Sequence, residues 1–196
     1  MSVSIKIVDQ KVIYKNRYSL TEYTLNYKGD NQQEETKTKL VFNRGNGANI
    51  LLYNPDSRNI ILTRQFRLPT FVNGNPSGFL LEVCAGTLEV ESPENCIRRE
   101  TEEETGYRID VVKKVFEAYM TPGAVTELLY FFVAPYKPVM KINPGGGLAE
   151  EQENIEVVEM PFMEAVAMMN RGEIRDAKTL ILIQYALIHN LLEIET

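Results

Sequence analysis

The segment from Gly86 to Tyr107, GTLEVESPENCIRRETEEETGY, constrains the fold more than any other part of the chain. It places Glu100, Glu102, Glu103 and Glu104 within five consecutive positions of what reads as a helix. Ser92 suits an N-cap, Pro93 suits the first helical position, and Gly106 can adopt the left-handed conformation that closes a last turn, so the punctuation predicts a helix of about thirteen residues. On that helix Glu100 and Glu104 stand one turn apart with Glu103 beside them. Like charges at such spacing, roughly 5 to 6 Å between β-carbons, destabilise a helix, and acid in its last turn opposes the macrodipole. An acidic helix is most often a solvated face. This one has few apolar residues, chiefly Cys96 and Ile97, so it gains little from a buried stripe, and Glu104 reads as an exposed member of a repelling cluster. A hard divalent cation bound by carboxylates is the compensation that the pattern predicts, and magnesium is the cation such sites favour when phosphate oxygens complete them.

The rest of the chain reads mostly as strands. Ser2 to Val8 and Arg17 to Tyr27 come first, the second alternating through Tyr18 and Leu20 and then, after a one-residue slip, through Tyr23 and Leu25. Lys37 to Phe42, Ala48 to Tyr53 and Asn59 to Phe66 continue the series, with NPDSRN as the turn between the last two. Leu80 to Cys84 leads into a loop before the acidic helix, and Val111 to Tyr119 and Glu127 to Ala134 follow it. Pro135 to Gln152 reads as a long loop carrying three consecutive glycines and the acidic run Glu150-Glu151-Gln152-Glu153. Loops of that length are functional or disordered. Helices over about Phe162 to Arg171 and Lys178 to Leu192 close the chain. Many strands around one inserted helix predict an α+β, mixed-sheet sandwich.

The segment from Gly86 to Tyr107 resembles the Nudix box, Gly-x5-Glu-x7-Arg-Glu-aliphatic-x-Glu-Glu-x-Gly-aliphatic. Counting back from Arg99, the box glutamate falls on Glu91 and the leading glycine on Ala85, with Gly86 one place later. Thr101 and Tyr107 replace aliphatic residues, and the displaced glycine suggests a loop one residue shorter than usual. The stretches RGNGANILLYN, RQFRLPTFVNGN, TPGAVTELLYFF, GGGLAEEQENIEV and GEIRDAKT extend the resemblance to the bacterial GDP-mannose pyrophosphatase branch, kin of the ADP-ribose pyrophosphatases.

That resemblance implies a Nudix-type α/β/α sandwich over 44–196 and a small N-terminal β extension over 1–43 that forms a homodimer. It implies magnesium-dependent hydrolysis of a nucleotide sugar, GDP-mannose before ADP-ribose, with a non-catalytic nucleotide-sugar sensor as the alternative from another class. Implied metal ligands are Ala85 through its carbonyl, Glu100, Glu104 and Glu153 of the acidic loop. Glu151, Glu153 and Glu103 are the implied catalytic carboxylates. Glu151 is expected as the mobile base and Glu153 as the ligand, with the reverse assignment open. Implied substrate contacts are Arg67, Ala85, Gly86, Thr87, Glu104, Glu127, Lys178 and, among the N-terminal strands, Lys39. There Thr38, Lys39 and Leu40 stand where the branch has a basic and acidic cluster. Arg67 is the expected phosphate clamp, because a guanidinium fork binds phosphate bidentately. Arg44 and Arg64 are expected in structural ion pairs, and Arg99 as an anchor of the box loop.

Charge and composition narrow the alternatives. A net charge of -6 without a basic stripe excludes a general nucleic-acid binder. Cys84 and Cys96 lack metal-site spacing and read as buried thiols. The N-terminus MSVSIKIVDQ has no signal-peptide pattern, and Thr179 to Leu192 is too short and too polar to span a bilayer. A cytoplasmic location is the expectation. His189, the sole histidine, reads as a packed or rim residue rather than a base, among leucines and isoleucine.

Overall fold

The computed structural model describes residues 4–29, 34–148 and 154–193. The chain divides into two compact units, Met1–Asn46 with Tyr119–Leu128, and Gly47–Ala118 with Leu129–Thr196.

The first unit is an antiparallel meander of β1 (Ser4–Lys15), β2 (Ser19–Lys28) and β3 (Glu35–Asn43). The slip that the sequence suggests within the second strand lies elsewhere. β2 runs against β3 in unbroken register, while the β1–β2 register shifts between Ile7 and Asp9 and between Val12 and Tyr14. Both irregularities therefore belong to β1, where an extra residue lets the pleat change face. Ile5, Ile7, Val12 and Tyr14 of β1 are all more than half exposed. The Tyr119–Leu128 segment adds to this unit through Phe42, whose N–H donates to the Ala124 carbonyl at 2.8 Å and whose carbonyl accepts from Thr126 N–H at 3.1 Å.

The second unit is built on a seven-stranded mixed sheet. Its main order is β10 (Glu156–Pro161), β5 (Asn59–Phe66), β4 (Gly47–Asn54), β9 (Leu128–Pro135) and β8 (Lys113–Tyr119); β6 (Phe79–Glu82) pairs with β5 and β7 (Cys84–Thr87) with β4. β4 and β9 run parallel, and the β4–β5, β4–β7, β5–β6 and β5–β10 pairs are antiparallel. Strand β4 is buried almost throughout, as a central strand covered on both faces must be. Ala48, Ile50 and Leu52 face one way and join Cys84, Phe132, Tyr136 and, from helix α2 (Pro93–Thr105), Cys96 and Ile97 in one apolar core. Phe131 points to the other face. There Phe116 lies 4.7 Å from it and 6.1 Å from Tyr185 of α4 (Ala177–Ile188), centroid to centroid. With α3 (Phe162–Asn170) beside β10, the result is the α+β sandwich that the sequence predicts.

Besides β7, an α-helix and a strand have no counterpart among the helices and strands expected after Lys37. Helix α1 (Leu68–Val72) is too short to show helical periodicity. β10 hides behind Glu156 and Glu159, residues depleted in strands, yet its register against β5 sets Glu156 opposite Arg64, and Glu159 accepts a 2.7 Å hydrogen bond from Tyr136 Oη.

Candidate active site

Helix α2 has the predicted ends. Ser92 Oγ accepts from Asn95 N–H at 3.3 Å, and Gly106, at φ 79°, donates its N–H to the Glu102 carbonyl at 3.0 Å. What holds the helix differs from the prediction. Ile97, Thr101, Glu104 and Thr105 form a buried stripe, so the helix does bury a face. Thr101 and Thr105 can be interior because each hydroxyl donates to a carbonyl one turn back, those of Ile97 and Thr101. Thr101 thereby replaces an aliphatic residue at no cost in unpaired polar atoms. Glu104, expected to be exposed, retains only 2 % exposure.

The repulsion in the acidic run is relieved first by a side chain of the helix itself. Arg99 donates to Glu91 Oε1 at 2.9 and 3.1 Å, to Glu100 Oε1 at 2.8 Å and to Glu103 Oε2 at 2.7 Å. One guanidinium thus gathers three carboxylates and ties the helix to Glu91 of the preceding loop.

Ala85, Gly86 and Thr87 lie on strand β7 rather than in a loop, because the chain breaks at Val83 and pairs again with β4. Two glutamates converge on this strand. Glu104 Oε2 accepts the Ala85 N–H at 3.3 Å, and Glu100 lies against Gly86 so closely that a β-carbon there would stand 2.1 Å from its carboxyl carbon. Position 86, not 85, therefore needs glycine if Glu100 is to keep this place, which gives a physical reason for the displaced box glycine. Burial pushes the Cys84 thiol well above its ordinary range, with the charges of Glu104 and Glu100 adding to it, and burial with the same Glu100 charge pushes Cys96 up to about 12. Neither thiol is a nucleophile at neutral pH.

The donor set around Ala85 and Gly86 is oxygen only: a backbone carbonyl and the carboxylates of Glu100 and Glu104. That chemistry suits a hard cation. Among the described residues no three histidine, cysteine or acidic side chains form a ready-made cage. Glu151 and Glu153 lie outside the described residues.

The base of the acidic loop is pinned to the same helix. Gly145, Gly146 and Gly147 have φ of 72°, 111° and 81°, a run that only glycines adopt readily. Gly146 and Gly147 donate their N–H groups to the carbonyls of Glu104 and Glu103 at 2.8 and 3.1 Å. Ile155 N–H returns to the Gly146 carbonyl at 3.2 Å, so both ends of the loop meet at the end of α2.

Arg67 and Lys178 are brought together by a residue that sequence reasoning missed. Glu82, 2 % exposed, accepts from Arg67 Nε at 2.7 Å, Arg67 NH2 at 3.1 Å and Lys178 Nζ at 3.1 Å. Burial favours the neutral acid, but the Arg67 hydrogen bond and the Lys178 and Arg67 charges outweigh it and hold Glu82 below its ordinary range. The signal was present in the sequence as a single acid in the apolar run Phe79-Leu80-Leu81-Glu82-Val83. Lys178 also pairs with Asp176 at 2.6 Å. Arg64, as expected, pairs with Glu156 at 3.0 Å. Within the first unit Arg44 pairs with Glu127 at 3.2 Å, and Lys39 is exposed on β3.

Comparison with known proteins places these features in context. The NUDIX domain model matches residues 43–182. The chain is 51% identical to a GDP-mannose pyrophosphatase of Yersinia enterocolitica over 98% of its own length and all of the relative's. It is 53% identical to one from Yersinia pestis (strain Pestoides F), covering 96% and 94%, and 52% identical to one from Pectobacterium atrosepticum, covering 96% of each. The chain belongs to the Nudix family. Its Nudix box is thus the β7 strand and the α2 helix, joined by the Arg99–Glu91 pair and closed at Gly106 by the glycine-rich loop base. Among the described residues no helix of this Nudix protein is long and apolar enough to cross a membrane.

Proposed function

We propose that this Nudix protein hydrolyses the pyrophosphate bond of GDP-mannose, giving GMP and mannose 1-phosphate, with magnesium as cofactor. It is a pyrophosphatase hydrolase by family, and its near-full-length relatives named above are called GDP-mannose pyrophosphatases. The observation that carries the reading is the approach of Glu100 and Glu104 to the Ala85–Gly86 backbone.

In this reading the Ala85 carbonyl, Glu100 and Glu104 hold magnesium, with Glu153 as a further ligand. Bound there, magnesium neutralises charge on the phosphate oxygens and acidifies water. Arg99 holds Glu103 and Glu100 in place, which keeps the carboxylates from repelling each other apart. Attack of water on one phosphorus requires a carboxylate to take its proton. Glu151 fills that role, with Glu153 as the other candidate and Glu103 as an orienting acid. Arg67 and Lys178 take the negative phosphate, the backbone at Ala85, Gly86 and Thr87 lines it, and Glu127 and Lys39 contact the nucleotide sugar. The N-terminal strands, residues 1–43, form a homodimer. Its support is β1, whose apolar side chains are exposed along the strand, an edge that isolated proteins normally protect. The protein acts in the cytoplasm on a small nucleotide sugar, not on nucleic acid or membrane.

The test is product formation from GDP-mannose and from ADP-ribose, each with and without magnesium. GMP and mannose 1-phosphate formed only with magnesium support the reading. Preferential cleavage of ADP-ribose reassigns the substrate, and turnover of neither supports a nucleotide-sugar sensor.

A further inference from the structure

We infer that Glu82 is a positioning residue for the substrate's phosphates: it fixes the edge of the Arg67 guanidinium that the diphosphate meets, and sets the Lys178 ammonium beside it. The inference rests on the proposed pyrophosphatase reading.

A carboxylate this buried is retained only when paired, and Glu82 is paired twice over. Arg67 meets it through Nε and NH2, one long edge of the guanidinium. The remaining NH1–NH2 edge then points away from Glu82, and it carries the two parallel N–H groups that bind phosphate bidentately. The Arg67 side chain is 38% exposed while that of Glu82 is 2% exposed, so one end of this pair is in the protein and the other is open. The charge of Glu104 also acts on Arg67, which ties the pair to the proposed metal ligand.

The Glu82 end of the pair is held by a closed chain of bonds. Lys178 Nζ bridges Glu82 Oε2 at 3.1 Å and Asp176 Oδ1 at 2.6 Å. Asp176 Oδ2 accepts from Thr179 N–H and Oγ1 at 3.0 and 2.7 Å, capping α4. Thr179 Oγ1 in turn accepts the N–H of Val83, the residue after Glu82, at 2.8 Å. Two cations and two anions balance, so the network adds no net charge. A buried ion pair is weak as a source of stability, but this one fixes two donor groups in one orientation.

The experiment compares wild type, Glu82→Gln, Arg67→Ala and the double variant. Glutamine keeps the shape of Glu82 but turns an amide NH2 toward one of its two cations. Expected for Glu82→Gln is a rise of about tenfold in KM for GDP-mannose with kcat changed by less than about threefold, since a ground-state phosphate contact is lost. Arg67→Ala should raise KM at least as much, and the double variant should raise it by clearly less than the product of the two single effects, the remainder acting through Lys178. Multiplying effects, or an unchanged KM in Glu82→Gln, overturn the inference. Should Glu82→Gln fail to fold, Glu82→Asp keeps the charge but withdraws it by one methylene. A raised KM that shrinks in the Arg67→Ala background then supports positioning, and wild-type kinetics overturn it. If the wild type cleaves neither nucleotide sugar, the pyrophosphatase reading fails on its own. Calorimetric binding of inorganic pyrophosphate with magnesium still reads Glu82: about tenfold weaker binding in Glu82→Gln supports it, and equal binding overturns it.

Discussion

Gly86→Ala separates the proposed metal site from the fold with a single methyl group. The new β-carbon would lie 2.1 Å from both Cγ and Cδ of Glu100 and 2.2 Å from its Oε1. Ordinary contact begins at 3.4 Å, so the Glu100 side chain must retreat by about 1.3 Å. Gly86 sits in the extended strand β7, where alanine fits without backbone strain, and the atoms met belong to a flexible side chain. The cost in stability is therefore about 1 kcal/mol or less. For a chain of this size that shifts Tm by roughly 2–4 °C at most. Activity should respond far more, because a displacement of about 1 Å in a reacting constellation costs on the order of a hundredfold. The assay pairs a thermal melt with kcat for GDP-mannose at several magnesium concentrations. A near-native melt with kcat down about a hundredfold, partly restored by excess magnesium, is the expected result. Full activity at ordinary magnesium would refute the claim that Glu100 must sit against Gly86 to act.

Gly145→Ala should instead damage the fold: its β-carbon would meet the backbone carbonyl of Glu104 at 2.6 Å at a φ of 72°, and a left-handed alanine alone costs roughly 1–2 kcal/mol, so a lowered Tm with a lowered kcat is expected. Because Glu82 is held below its ordinary value of 4.5, its ionised form stabilises the fold above that pH and the contribution is lost as pH falls through the depressed value. Thermal melts between pH 6 and pH 3 should accordingly be flatter for Glu82→Gln than for wild type. Light scattering at micromolar concentration should give the mass of a dimer, and replacing Ile5 and Ile7 of β1 with lysine should give the monomer.

The elements were legible where local chemistry decides them. Helix α2 carries its own start and stop signals in Ser92, Pro93 and Gly106, and β5 carries its start in the NPDSRN turn. Burial within α2 was not legible, because threonines at 101 and 105 look polar in sequence and become interior only once their hydroxyls bond back along the helix. The burial of Glu104 is hidden for a tertiary reason, since it accepts a backbone N–H from another element. The carboxylates of the box are visible as a motif, but that Arg99 neutralises three of them at once depends on side-chain geometry that spacing does not encode. Glu82 is not legible because its pairing with Lys178 joins residues nearly a hundred positions apart, and Asp176, a local partner of Lys178, joins the network only through that contact. The glycine run at 145–147 was visible, but its purpose, carrying N–H groups to the carbonyls of Glu103 and Glu104, depends on a tertiary approach that no spacing encodes.

The most direct test of the metal site uses manganese as a paramagnetic stand-in for magnesium. Titrated into wild type, Glu100→Gln and Glu104→Gln in the presence of GMP, bound manganese is read from the loss of the free-ion electron paramagnetic resonance signal. Saturable binding by the wild type, weakened at least tenfold in both variants whose melts stay cooperative, is the predicted result. Equal binding by all three proteins would contradict the account.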